Sequence, residues 1–149
     1  MGKPGARGDL AVPCVAVVIT DASGRVLLGR RASGVRIGLW AFPGGAIEPG
    51  EDVAAAAVRE AHEETGLVIE PERLLSVVTN HFEAFSALVV VVAASVVSGD
   101  EQPGDELNEL RWLSLIKPLA EPIPEMAFEG DARVLAKLAA EPGFGLPLA

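Results

Sequence analysis

Residues 45–67 decide the fold, and they read GAIEPGEDVAAAAVREAHEETGL. Residues 52–65 contain neither glycine nor proline and are rich in alanine, the residue with the highest intrinsic helix propensity. Negative charge at Glu51 and Asp52 is favourable near a helix N-terminus, and a glycine such as Gly66 commonly ends a helix. The stretch therefore predicts a helix over 52–65, with a turn before it and a glycine stop after it.

Three glutamates share one face of this predicted helix. At about 100° per residue, Glu63 and Glu64 lie roughly 60° and 40° to either side of Glu60, so the carboxylates span about 100°. A solvated acidic face is the alternative, but such a face usually intersperses lysine, and this one has a single Arg59. Carboxylates beside a glycine-bearing loop offer the hard oxygen ligands that Mg²⁺ or Mn²⁺ prefers. The adjoining apolar stripe, which is predicted to pack on a sheet, consists of Ala54, Ala57, Val58 and Ala61.

Apolar and β-branched runs on either side of this helix predict strands. They cover residues 12–20, a strand from 26, and residues 39–42, 74–78, 86–97 and 110–113. A second helix is predicted over 131–140, and the proline-rich segment 117–124 is predicted to be irregular. Strands before, between and after two helices, with hairpins among them, predict an α/β fold with a mixed sheet. We expect one domain at 10–141, a flexible arm at 1–9 and a loose tail at 142–149.

The composition restricts the classes of function. Twenty-one acidic residues against 12 basic ones give a formal charge of −9, which argues against a dedicated nucleic-acid binder. The single cysteine, Cys14, cannot form an internal disulfide, which agrees with a reducing compartment. The N-terminus lacks the apolar core of a signal peptide, and the longest apolar run, 87–97, is too short to span a bilayer. We therefore expect a cytoplasmic protein without a membrane segment.

The spacing across residues 45–67 resembles the Nudix box. Five residues separate Gly45 from Glu51, and seven more separate Glu51 from Arg59. The run that completes the match comprises Arg59, Glu60, Ala61, His62, Glu63, Glu64, Thr65, Gly66 and Leu67. The resemblance implies a Nudix hydrolase with an α/β/α sandwich around a mixed sheet. It also implies metal-dependent attack of water on a diphosphate bond of a nucleotide-like small molecule.

The resemblance assigns roles to individual residues. The implied ligands of Mg²⁺, with Mn²⁺ as the other option, are Gly44 through its carbonyl oxygen, Glu60, Glu63 and Glu64. Arg59 would hold a glutamate in position by a charge-assisted bond, and Glu51 would tie the loop to the helix. Glu63, or an acid from a loop, would take the proton of the attacking water. Glu60, Glu63 and Arg59 are thus the predicted catalytic residues within the box.

A further acid is expected from a loop outside the box. The candidates are Asp100, Glu101, Asp105, Glu106 and Glu109. Glu106 is preferred because it lies in a loop that precedes a predicted strand, and Glu109 is second. A plain solvated acid is the alternative for either position.

The substrate contacts are expected on loops, which vary within such folds. Trp40 and Phe82 are predicted to stack on a base, and Arg31 and Arg36 to contact phosphate, although each has an alternative in the core or on the surface. Residues 26–51 resemble the nucleoside triphosphate hydrolases of the family. The alternatives are an ADP-ribose or nucleoside diphosphate-sugar hydrolase and, in another class, a non-catalytic nucleotide-sensing module. Family members often dimerise, so the resemblance leaves a homodimer open.

Overall fold

The computed structural model of the chain describes residues 11–116 and 121–148. Its elements are β1 (Ala11–Thr20), β2 (Val26–Arg31), β3 (Trp40–Ala41), β4 (Gly44–Ala46), α1 (Val53–Thr65), β5 (Val68–His81), β6 (Ser86–Ser98), β7 (Leu107–Leu113), α2 (Glu129–Ala140) and β8 (Leu146–Pro147). The predicted arm at 1–9 and the part of the predicted irregular segment at 117–120 lie outside the described residues. Within those residues, no helix combines the length and the apolarity that crossing a bilayer requires.

The eight strands of the described residues form one mixed sheet, whose main path follows the order β3-β2-β1-β6-β5-β8. β4 pairs with β1, and β7 pairs with β2, outside this path. β1 and β6 run parallel, from the pair Ala11 and Ser86 to the pair Thr20 and Ser95, whereas the other strand pairs are antiparallel. The predicted mixed sheet is confirmed, and β1 and β2 form one of the predicted hairpins.

One helix covers each face of the sheet. Because side chains alternate along a strand, Val17 and Ile19 of β1 join the core on the α1 side, while Val18 joins the core on the α2 side. On the α2 side the helix contributes Leu135, which is fully buried. Each such side chain stabilises the fold by about 1.5–3 kcal/mol relative to its exposed state. The α/β/α sandwich implied by the resemblance is therefore confirmed.

The helix α1 is rotated relative to the prediction. Its fully buried alanines are Ala56, Ala57 and Ala61. Ala54, which was expected in the apolar stripe, is exposed. Glu60 and Glu64 are buried instead, because β4 and the loop after β6 pack over that side of the helix. The predicted stripe is wrong at Ala54, and two of the box glutamates lie inside the molecule.

Four strands differ from the prediction by more than one residue, and of these β7 begins at Leu107 instead of residue 110. Gly44 and Gly45, which were expected in a loop, form β4 and pair with β1, since glycine lets two backbones approach closely. β5 extends well beyond the predicted 74–78, with shifts of register beside Pro71 that accommodate a residue without an amide hydrogen. The tail at 142–149 is not loose over its described part, because β8 pairs with β5 there.

Candidate active site

The helix α1 has a defined start and a defined end. At its N-terminus, Oδ1 of Asp52 accepts a hydrogen bond from the Ala55 amide at 2.8 Å. At its C-terminus, Gly66 has a φ of 76°, a left-handed conformation that glycine adopts without strain. A Cβ atom on Gly66 would lie 2.7 Å from the carbonyl oxygen of Asp100. The end of the helix is therefore in close backbone contact with the loop between β6 and β7, residues 99–106, called the acidic loop below.

Arg59 connects the helix to the loop before it. Its Nε and Nη2 atoms donate to the two carboxylate oxygens of Glu51, each at 2.8 Å, and Nη2 also donates to the Ala46 carbonyl at 2.9 Å. Its Nη1 atom donates to Oε1 of Glu60 at 2.8 Å and to Oε2 of Glu63 at 3.4 Å. The hydrogen bonds from Arg59 lower the pKa of Glu51 to about 2, so this carboxylate stays ionised near neutral pH.

The two glycines of β4 bring backbone next to the glutamates. The Gly44 amide donates a hydrogen bond to Oε2 of Glu64 at 3.1 Å. A Cβ atom on Gly45 would lie 2.6 Å from Oε1 of Glu60, so a larger residue there would displace this carboxylate. The buried glutamates are thus packed directly against β4, where the sequence predicted a loop.

Five acidic side chains line one cavity of about 250 Å³, called the carboxylate cavity below. They are Glu60, Glu63 and Glu64 of α1, with Asp105 and Glu106 of the acidic loop. Glu63 is open to solvent, with 57% of its side chain exposed, whereas Glu60 and Glu64 are only 8% and 6% exposed. Burial, reinforced by the neighbouring carboxylates Glu60 and Glu106, raises the pKa of Glu64 to about 9, although the Gly44 amide opposes this. Burial also raises the pKa of Glu60, against the stabilising contact with Arg59.

The carboxylate cavity has the composition of a divalent-cation site. Its oxygen donors are hard ligands, and the accumulated negative charge is what a bound cation would offset. In residues 11–116 and 121–148, however, no three acidic, histidine or cysteine side chains converge tightly enough to enclose an ion. Arg59 engages Glu60, and the Gly44 amide engages Glu64. Coordination would therefore require small rotations of these side chains.

A cleft of about 160 Å³ adjoins the carboxylate cavity and is called the Arg31 cleft below. The lining that the two spaces share consists of Glu64 and Glu106. Arg31 is held in place there, because its Nε atom donates to the Val35 carbonyl at 2.6 Å and its guanidinium lies 5.1 Å from the ring centroid of Phe128. The cleft thus places a fixed positive charge next to the acidic cluster.

A third space, of about 170 Å³, lies beyond Arg31 and is called the aromatic cavity below. Its ring-bearing residues are Phe42, Phe82, Phe85 and Phe128. The rings of Phe82 and Phe85 are 4.9 Å apart, and those of Phe82 and Phe128 are 6.3 Å apart. Asn80 and Asp131 supply polar side chains to the same lining. Such a mixture of rings and a few polar groups is typical of a small-molecule site.

Asp131 is the most unusual group in the aromatic cavity. It is 5% exposed, and its Oδ2 atom accepts a hydrogen bond from the Phe42 amide at 3.2 Å. Burial raises the pKa of Asp131 to about 7, while the Phe42 amide and the charge of Arg31 act in the opposite direction. Near neutral pH the Asp131 carboxyl is therefore about half protonated. Its protonated form can donate a hydrogen bond, whereas its ionised form only accepts.

Some predicted residues lie elsewhere. Trp40 packs against the core on the α2 side, with the guanidinium of Arg111 lying 5.9 Å from its ring, and it lines none of the three spaces. Arg36 sits on an exposed loop with a φ of 56° and also lines none of them. Glu109 faces Arg30 at 3.8 Å, whereas Glu106 reaches the carboxylate cavity.

Three lining residues carry no signal that identifies them in the sequence. Asp131 lies in the first turn of α2, where an acid is ordinarily explained by the helix dipole. Phe128 precedes that helix and resembles any core aromatic. Asp105 was one of several loop acids, and only the path of the acidic loop distinguishes it from Asp100.

The similarity to known proteins extends beyond the box to most of the chain. The family model of the NUDIX domain matches residues 11–138. The chain belongs to the Nudix family. Its enzyme class follows from this membership and from its relatives: it is a pyrophosphohydrolase, a hydrolase of phosphorus-containing anhydrides.

The relatives of this Nudix chain differ in their substrates. An ADP-ribose pyrophosphatase of Methanocaldococcus jannaschii is 32% identical over 80% of this chain and 69% of its own length. An 8-oxo-(d)GTP phosphatase of Mycolicibacterium smegmatis is 33% identical over 69% of this chain, but the match spans only 31% of that protein. The crystal structure of a MutT protein from Methanosarcina mazei superposes with a TM-score of 0.74 at 25% identity, over 91% of this chain and 98% of that one. The fold and the reaction class are therefore shared, while the substrate is not decided by similarity.

Proposed function

We propose that this Nudix enzyme hydrolyses a diphosphate bond of a nucleoside triphosphate with the help of Mg²⁺ or Mn²⁺. The carboxylate cavity supports this most directly, because side chains from the box helix and from the acidic loop face one space. This cavity shares Glu64 and Glu106 with the Arg31 cleft, which shares Arg31 and Phe42 with the aromatic cavity. A substrate bound along this path would place its phosphates near the carboxylates and its base among the rings.

The proposed cation ligands are Glu60, Glu63, Glu64 and the carbonyl oxygen of Gly44. A divalent cation bound there would offset the negative charge of the carboxylates and the phosphates and would polarise phosphoryl oxygens. Arg59 would keep Glu60 and the loop before the helix in a fixed relation to each other, through the contacts described above. The proposal is supported for the three glutamates by their positions around the carboxylate cavity and by the oxygen chemistry that Mg²⁺ requires.

The chemical step needs a base and no covalent intermediate. Glu63, which is open to solvent, or Glu106 of the acidic loop would accept the proton of the attacking water. The water oxygen then bonds to phosphorus as the bond between phosphorus and the bridging oxygen breaks. Arg31, in the adjoining cleft, is placed to hold a phosphate of the bound nucleotide by charge-assisted hydrogen bonds.

The aromatic cavity is the proposed binding site of the base. Phe82 keeps the stacking role predicted from the sequence, with Phe85 and Phe128 beside it. Asp131 and Asn80 would make hydrogen bonds with the base edge. Trp40 and Arg36 have no part in this arrangement, because they line none of the three spaces.

A second candidate is hydrolysis of ADP-ribose or of a nucleoside diphosphate sugar. The similarity to the ADP-ribose pyrophosphatase of Methanocaldococcus jannaschii favours it. The same carboxylates would serve that reaction, and the difference lies in the group beyond the second phosphate. The alternative of a non-catalytic nucleotide-sensing module does not agree with the enzyme class that the family and the relatives give, nor with the presence of all the box glutamates.

The deciding experiment is a substrate panel assayed with Mg²⁺. Release of phosphate or pyrophosphate from a nucleoside triphosphate supports the first candidate, and two monophosphates from ADP-ribose or a nucleotide sugar support the second. Glu63→Gln should lower turnover by orders of magnitude, whereas Glu70→Gln, an exposed position on β5, should not. Full activity in excess chelator would contradict the metal-dependent mechanism. Nucleotide binding without turnover of any panel member would contradict both candidate substrates.

A further inference from the structure

The acidic loop reaches the carboxylate cavity through its last two residues, Asp105 and Glu106, while its first half lies over the far end of α1. In that first half, Oε1 of Glu101 accepts a hydrogen bond from Nε1 of Trp112 at 3.0 Å. We propose that Glu101 is a positioning residue, which holds the acidic loop through Trp112 so that Glu106 faces the box glutamates. This inference rests on the role given to Glu106 in the proposed function.

Trp112 is a rigid anchor for such a contact. It lies on β7, opposite Leu27 of β2, and its ring packs against the core on the α1 side. The guanidinium of Arg25 lies 5.6 Å from the ring centroid, and Arg25 is itself held by Asp21 at 2.8 Å. The indole N–H has one donor direction, and Glu101 occupies it. The fixed partner therefore sets the position of the loop, and the loop does not set the position of the tryptophan.

The acidic loop needs a side-chain contact because its backbone is intrinsically permissive. The loop has eight residues without helix or strand, and two of them, Gly99 and Gly104, are glycines. Backbone hydrogen bonds fasten it at three places, from the Gln102 amide to the Thr65 carbonyl at 2.7 Å, from the Gly104 amide to the Leu107 carbonyl at 2.9 Å and from the Ala32 amide to the Glu106 carbonyl at 2.9 Å. The Glu101 contact precedes all three along the chain and fixes the point where the loop leaves β6.

The surroundings leave Glu101 free to move once this bond is lost. The residue is exposed and lies at the edge of an open cavity of about 520 Å³, which Trp112 and Arg25 also line. No core side chain depends on it for packing, so its removal should open the loop locally and leave the fold intact. A loop loosened at this end would depend on its backbone hydrogen bonds alone, so Glu106 would face the three box glutamates for a smaller fraction of the time.

The first test compares four single variants in steady-state kinetics with Mg²⁺. Glu101→Ala and Trp112→Phe, which remove the acceptor and the donor, should each lower kcat about threefold to tenfold with little change in KM, the loss expected for one net hydrogen bond. Glu101→Gln keeps an acceptor oxygen and should stay within about twofold of the unaltered enzyme. Asp100→Ala is the matched control, because the Asp100 side chain makes no hydrogen bond within the described residues. Unchanged kcat in Glu101→Ala, or equal loss in Glu101→Gln, would overturn the inference.

The second test asks whether Glu101 acts through Glu106. In a Glu106→Gln background, Glu101→Ala should cause no further loss of kcat, because the base that it positions is already absent. Losses that multiply would show a general effect and would contradict the positioning role. If Glu106→Gln alone is fully active, the proposed role of Glu106 fails, and that result is distinguishable from a failure of the Glu101 contact.

A third measurement reports on the opening of the acidic loop and does not depend on catalytic activity. Amide hydrogen exchange, followed by mass spectrometry on the metal-free protein, should be faster over 99–106 in Glu101→Ala and Trp112→Phe than in the unaltered protein. Exchange over α1 should not change, and Asp100→Ala should match the unaltered protein throughout. Equal exchange over 99–106 in all variants would show that the hydrogen bond between Trp112 and Glu101 does not hold the loop.

Discussion

A Cβ atom on Gly45 would lie 2.6 Å from Oε1 of Glu60, whereas one on Gly44 would collide with the carbonyl oxygen of Val15. The first obstacle is the end of a flexible side chain, and the second is the backbone of the central strand β1. Adjacent glycines therefore serve different ends. Gly45 leaves room for a carboxylate, and Gly44 lets β4 approach β1.

Substitution of the two glycines should separate activity from stability. Gly45→Ala should displace the Glu60 carboxylate, lowering kcat/KM by about tenfold or more, while the free energy of unfolding changes by less than about 1 kcal/mol. Gly44→Ala should destabilise the protein by about 3 kcal/mol, because a backbone must shift to relieve the contact. Steady-state kinetics and urea denaturation of both variants check this. A Gly45→Ala enzyme with normal kcat/KM would contradict the packing of Glu60 against β4.

Arg59 should not be replaceable by lysine. Its planar guanidinium binds both oxygens of Glu51 while a third nitrogen binds Glu60, and a single ammonium cannot reproduce this geometry. We expect Arg59→Lys to lower kcat by about tenfold to a hundredfold, as for a misplaced catalytic group. Arg133→Lys is the matched control, since Arg133 also pairs with an acid, Glu129, but outside the three spaces of the site. Equal kcat in the two variants would refute the positioning of Glu60 by Arg59.

The helix and its family assignment could be predicted from the sequence because their signals are local. The absence of glycine and proline over 52–65 and the glycine stop at Gly66 depend only on neighbouring residues, and α1 ends at Thr65 as expected. The α/β class followed from the order of apolar runs. The rotation of α1 did not follow, because the burial of Glu60 and Glu64 depends on the pairing of β4 with β1 and on the path of the acidic loop, neither of which is set by neighbouring residues.

The aromatic cavity could be predicted only in part. Phe82 was expected near the substrate and does line it, but Trp40, an equally plausible aromatic, packs into the core beneath Arg111. A sequence gives no reason to separate the two. Asp131 was not predicted as a site residue. Its hydrogen-bond partner Phe42 is 89 residues away in the sequence, and only the folded structure shows that this acid of α2 is buried.

The buried carboxyl of Asp131 should make stability depend on pH. Its pKa is about 7 in the folded protein against an ordinary value of 3.8, so the folded state retains a proton that the unfolded chain has lost. The contribution of Asp131 to the free energy of unfolding should therefore fall as pH rises from about 4 to about 7 and stay constant above that. The full difference is on the order of 4 kcal/mol. Arg31 and the Phe42 amide, which face this carboxyl, both act to reduce it.

Asp131→Asn tests this dependence. The amide oxygen of the introduced asparagine can still accept the hydrogen bond from Phe42, and the amide does not titrate. The free energy of unfolding of the variant, relative to that of the unaltered protein, should therefore increase as the pH is raised from 5 to 8. Asp100→Asn, at an exposed position of the acidic loop, should show no such gain. Urea denaturation of the unaltered protein and of both variants, at pH 5 and at pH 8, gives the free energies of unfolding to be compared. A constant difference between Asp131→Asn and the unaltered protein would contradict the raised pKa.

The aromatic cavity should control the affinity for the base and not the chemical step. Phe82→Leu keeps an apolar side chain but removes a ring from the lining, so KM for a nucleoside triphosphate should rise about tenfold with kcat within about threefold, as expected for a lost stacking contact. Trp40→Phe is the matched control and should leave KM unchanged, because Trp40 does not line the cavity. Hydrolysis of inorganic tripolyphosphate, which has no base, should respond to neither change. A larger effect of Trp40→Phe than of Phe82→Leu on KM would place the base elsewhere.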